Sequence, residues 1–80
     1  MRDYKIMKFQ AMDKALLYLL EDKGPMDLIH IMIYIDENNA YISRSLRRLV
    51  GMGYVSATRK ANKITYANVQ AEQRRESQNA

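Results

Sequence analysis

The chain has no cysteine and no tryptophan, and only one histidine, one proline and three glycines. Each scarcity closes off a class of explanation. Without cysteine there are no disulfides and no thiolate metal sites. The single histidine, His30, lacks the partners a metal would require. No Gly-rich phosphate loop occurs, nor any carboxylate spacing that suggests a paired acid and base, so no catalytic residue, metal ligand or cofactor is expected. Asp27, Asp36 and Glu37 read instead as helix caps and turn residues. No apolar run approaches the length that spans a membrane, and MRDYKIMKF lacks the uninterrupted apolar centre of a secretion signal. A cytoplasmic protein without a membrane partner is the expectation.

What is present is positive charge and short apolar periodicities. The formal net charge is +4 with a sequence pI near 9.5, which favours a polyanionic partner. Eighty residues make one small domain of modest expected stability. Residues 1–8 are short and mixed, and could extend the first helix or form an arm. Phe9, Met12, Leu16, Leu19 and Leu20 then form a stripe that predicts a first helix over about residues 8–22, stopped by Gly24-Pro25. Leu17 and Tyr18 lie outside that stripe, which reads as tail packing or as part of a dimer contact. In DLIHIMIYID the isoleucines alternate as in a strand. Asp27 as N-cap and a Leu28, Ile31, Met32, Ile35 stripe argue for a second helix, leaving Ile29 and Ile33 pointing outward.

Asp36 to Asn39 is a turn, with Asn38 the expected N-cap of a third helix. On a helical wheel at about 100° per residue, Ile42, Leu46, Leu49, Val50 and Gly53 fall on one side. Ala40, Arg44, Arg47 and Gly51 fall on the other, with Tyr41, Ser43 and Arg48 on the flanks. Gly53 stands where a left-handed C-terminal cap is wanted. Two strands, Tyr54 to Arg59 and Ile64 to Val69, then flank the polar turn Lys60-Ala61-Asn62-Lys63. Small residues let a helix approach DNA closely, and arginine forks match guanine edges or phosphate oxygens. A basic helix followed at once by a basic-tipped hairpin therefore points to nucleic acid.

ISRSLRRLVGMGYV resembles the recognition helix and first wing strand of the winged helix-turn-helix superfamily, especially MarR-like and related small regulators. Ile42, Ser43-Arg44, Leu46, Leu49, Gly53 and Tyr54-Val55 fill the positions of that pattern in register, and ATRKANKITYANV resembles the wing. The resemblance implies an α+β fold of three helices with a C-terminal β-hairpin wing. It would occupy residues 1–69, with residues 70–80 a polar tail that forms a short helix or, more in keeping with its composition, frays. It further implies a transcriptional regulator, such as a repressor, that binds double-stranded DNA sequence-specifically as a homodimer. Recognition helix 39–52 would enter the major groove with Arg44 and Arg47 on base edges and Ala40 allowing close approach. Asn39, Tyr41, Ser43 and Arg48 would hold phosphates, and Arg59, Lys60 and Lys63 the flanking backbone or minor groove. No small-molecule effector is evident. Two other readings stay open: a DNA-coating protein of nonspecific or centromere type, and a winged module that docks protein.

Overall fold

The computed structural model describes residues 10–79. Its elements run α1 (Ala11–Lys23), β1 (Met26–Asp27), α2 (Leu28–Tyr34), α3 (Asn39–Gly51), β2 (Val55–Lys60), β3 (Lys63–Asn68) and α4 (Val69–Asn79). The strands form one antiparallel sheet in the order β1-β3-β2. The expected three helices and hairpin are present, and the structure adds a third strand and a fourth helix to them.

Local chemistry explains most boundaries. The Gln10 amide donates to Asp13 Oδ2 at 3.0 Å, satisfying one of the free donors at the start of α1. The helix ends at Gly24, whose φ of +89° favours glycine. Phe9 and the expected start at residue 8 lie outside the described residues. Asp27 caps α2, its Oδ1 accepting the His30 amide at 2.9 Å, and Asn38 caps α3, its Oδ1 accepting the Tyr41 amide at 2.7 Å. The end of α3 is a Schellman motif: Tyr54 N–H donates to the Leu49 carbonyl and Gly53 N–H to that of Val50, at 3.0 and 3.1 Å. Gly53 takes the left-handed position, with φ of +85°.

The core joins α1 to α3. Met12, Leu16, Leu17 and Leu20 pack with Ile42, Leu46 and Leu49, and Met26, Ile31 and Val55 complete the cluster. Each large aliphatic side chain that is fully buried contributes about 1.5–3 kcal/mol. Leu17 is therefore core, not partner surface. At the end of β3, Asn68 Nδ2 donates to the Leu17 carbonyl at 3.0 Å. Val50, expected on the core face, is 37% exposed, since about 80° separates it from Ile42 on the wheel. Met32, expected in the inner stripe of α2, is 39% exposed, while Ile29 and Ile33 point outward at 73% and 70% exposure.

Residues 69–79 form a helix, the first of the two alternatives expected for this segment. Asn68 Oδ1 accepts the Ala71 amide at 3.0 Å, Ala71 is buried, and Arg74 meets Glu21 of α1 at 2.7 Å. Within α4, Arg75 pairs with Glu72. A cap, one buried alanine and ion pairs hold a helix whose composition alone would not. Among the described residues no helix is long and apolar enough to cross a membrane.

Candidate nucleic-acid interface

Burying Ile42, Ser45, Leu46 and Leu49 against α1 and the sheet turns the opposite side of α3 to solvent. Asn39, Ala40, Tyr41, Arg44, Arg47 and Gly51 are exposed there. Ser43 is half-buried, and its hydroxyl donates to Asn39 Oδ1 at 2.9 Å, so these two are partly engaged with each other. The hairpin extends beside α3. Its strands pair from Val55 and Asn68 out to Lys60 and Lys63, through a tight turn at Ala61-Asn62. In β2 only Val55 is buried, so the outer hairpin stands clear of the core with Arg59 and Lys60 in solvent.

The basic side chains expected on this face fall into two groups. Arg44, Arg47, Arg59 and Lys60 are exposed and form no ion pair with any described residue. Arg48 and Lys63 are already partnered. Arg48 grips Asp13 with a fork, Nη2 to Oδ1 at 2.7 Å and Nε to Oδ2 at 3.3 Å, and reaches Gln10 Oε1 at 3.2 Å. The Ser45 hydroxyl donates to the same Asp13 Oδ1. Burial works against the Asp13 carboxylate, but hydrogen bonds from Arg48, Ser45 and the Gln10 amide outweigh it, holding its pKa below the usual 3.8. The bond to Asp13 correspondingly raises the pKa of Arg48. Releasing Arg48 to a phosphate would leave a sealed carboxylate unpaired, a cost of about 3–5 kcal/mol. Arg48, expected to hold phosphate, is thus engaged at the α1–α3 junction in the free chain.

Lys63 leans back from the wing tip, its Nζ 3.3 Å from Asp27 Oδ2. Asp27 also accepts from the His30 ring nitrogen at 2.5 Å, besides capping α2. The His30 amide and ring bonds, with a further one from Lys63, lower the Asp27 pKa to about 2 against a smaller opposing effect of burial. An open cleft of about 380 Å³ lies over this carboxylate, lined also by Lys23, Tyr34 and Thr65. Among the described residues no group of three or more His, Cys, Asp or Glu is placed to hold a metal.

No family model matches the chain, and no curated protein matches it. A solved structure does: a mutant of ZitR from Lactococcus lactis, with a TM-score of 0.72 over 96% of this chain at 14% identity. The chain spans 57% of that protein's chain, a little over half. The two share a fold. Four helices and a three-stranded antiparallel sheet are consistent with a winged helix.

Two buried polar residues next to this face escaped the sequence reading. Asp13 interrupts the apolar face of α1 beside Met12 and Leu16, and Ser45 interrupts that of α3. A polar residue on each of two facing apolar stripes was the available signal, since buried polar groups need partners.

Proposed function

We propose that this chain is a small transcriptional regulator that binds double-stranded DNA sequence-specifically. Residues 1–69 form the binding unit and α4 braces it from behind. In this reading α3 enters the major groove, Arg44 and Arg47 reach base edges, and Ala40 and Gly51 allow the backbone close. Asn39, Tyr41 and Ser43 hold phosphates, while Arg59 and Lys60 take the flanking backbone or minor groove. One observation carries the proposal: two separate elements, α3 and the wing, present exposed cations that pair with no other described residue. Selection of bound sequences from random duplexes tests it. Arg44→Ala and Arg47→Ala should each cost about 1–3 kcal/mol on the selected site and relax preference at particular base pairs. Equal losses on selected and random duplexes would leave phosphate contact alone and favour a coating protein.

A homodimer forms part of the proposal. One module of this size makes few base contacts, and a two-fold pair sets recognition helices about 34 Å apart on successive major grooves. Ile29, Ile33, Tyr34 and Tyr18 are more than half exposed, an apolar surface suited to a second copy. The same exposed isoleucines support the rival reading, a protein-docking module. Sedimentation equilibrium at micromolar concentration, with and without DNA, separates these. A 9.4 kDa species that stays monomeric on a half-site would remove the dimer.

A further inference from the structure

On the DNA-binding reading above, we infer that Asp13, which touches no DNA, is a specificity-determining positioning residue that fixes the roll and register of α3 through Arg48 and Ser45. Apart from the Arg48 bond to the Gln10 N-cap, the rest of the seam between α1 and α3 is aliphatic, with Leu16, Leu17, Leu20, Ile42, Leu46 and Leu49 in one cluster. Apolar packing is strong but non-directional, and it tolerates small sliding and rolling. A side-chain rim about 10–12 Å across moves by about 1 Å when the helix rolls through about 10°. Contacts that read a base need placement to about 0.5 Å and 10–20°. The greasy seam alone thus leaves Arg44 and Arg47 less well aimed than base reading demands.

Asp13 supplies the missing direction. Its carboxylate is fully buried, and both oxygens are used. The fork from Arg48 fixes an angle as well as a distance, because guanidinium and carboxylate meet in one plane. Ser45 lies one helical turn before Arg48's neighbour Leu49 and adds a second point on the same carboxylate. Two points on one side of α3 stop it from rolling. The Gln10 amide ties the carboxylate in turn to the first turn of α1. Arg48 consequently spends its charge inside the protein and releases no counterion from DNA, unlike Arg44 and Arg47.

The test compares the wild-type chain, Asp13→Asn, Arg48→Lys, Arg48→Gln and Ser45→Ala on two probes. One is a labelled random-sequence duplex and the other the duplex selected from it, each titrated over a range of salt. Asp13→Asn, Arg48→Lys and Arg48→Gln should each lower the selected-to-random affinity ratio about tenfold, with salt slope and random-duplex affinity unchanged. Ser45→Ala should lose less in the same direction. Arg48→Lys is the key variant, for it keeps the charge and loses the fork. Should Arg48→Lys behave as wild type while Arg48→Gln lowers the salt slope by about one, Arg48 holds a phosphate and the inference is overturned. Equal losses on both duplexes overturn it too, as a merely structural role would produce them. If Asp13→Asn does not fold, Arg48→Lys and Ser45→Ala decide by the same criterion. A wild-type chain that binds neither duplex removes the DNA-binding reading and this inference with it.

Discussion

α3 and the wing both carry open cations, yet they are held in opposite ways. α3 is capped by Asn38, closed by a Schellman motif, buried on one face and gripped by a sealed carboxylate. The wing has one buried residue in its outer strand, and its ionic tie, Lys63 to Asp27, is exposed at the lysine end, whose side chain is 64% exposed against 10% for the aspartate. A forked pair around a sealed acid sets geometry and is costly to break from one side. A solvent-facing lysine pair is screened and contributes about 0–1 kcal/mol. On the proposed DNA-binding function, the contrast suits a rigid reader beside a compliant clamp: base edges demand placement, whereas phosphates accept a range of approach.

The largest test of this contrast is Asp13→Ala. It should destabilise the free protein by about 3 kcal/mol in urea unfolding, because Arg48 is left half-buried without its partner. Asp13→Leu combined with Arg48→Met should recover more than half of that, since apolar residues often replace a buried ion pair at little cost. A loss below about 1 kcal/mol for the single variant would make the junction no different from a surface pair.

Acid should loosen both ties. The folded-state pKa values of Asp13 and Asp27 are lowered from 3.8, the latter to about 2. Their contributions are therefore complete above the unfolded value and lost as pH falls through the folded ones. Unfolding midpoints measured from pH 6 downward should hold until about pH 4 and then decline. A decline that starts between pH 6 and 5 would implicate another group.

On the wing, Lys60→Ala should lower the salt slope of DNA binding by about one unit. Lys63→Ala should lower it by less, because Lys63 already has Asp27 at 3.3 Å. Identical slopes for the two variants would show that the lysine leaves Asp27 on binding. The smallest effect is expected at the hairpin turn, where Ala61 has a φ of +56°. A left-handed alanine costs about 1–2 kcal/mol and glycine's greater chain freedom returns about 0.5–1, so Ala61→Gly should stabilise by about 0.5 kcal/mol. Thermal melts would detect this, and a lower melting temperature would contradict it.

The elements marked by capping chemistry were legible in the sequence. Asn38, Asp27, Gly24 and Gly53 each stand where a helix begins or ends, and the hairpin strands differ from expectation by about one residue. What escaped was set by tertiary partners. Two residues, Met26-Asp27, carry no period, and they form a strand because β3 offers them an edge. α4 holds through Asn68, a residue belonging to the preceding strand, and the open group of cations could be told from the engaged group only once Asp13 and Asp27 had been placed. A wheel gives the direction of a side chain but not the charge it meets there.

The pairing of Met26 with Tyr66 and Asp27 with Thr65 has a consequence in time. The helices and the β2–β3 hairpin are sequence-local and close within microseconds, whereas β1 must wait for a long loop to shut. Asp27 is then expected to gain its lysine only after α2 and the wing have formed, which would make β1 the last piece of the sheet to assemble. In hydrogen exchange, the β1–β3 amides should then follow a partial opening that releases β1, less protected than the amides of α1 and α3.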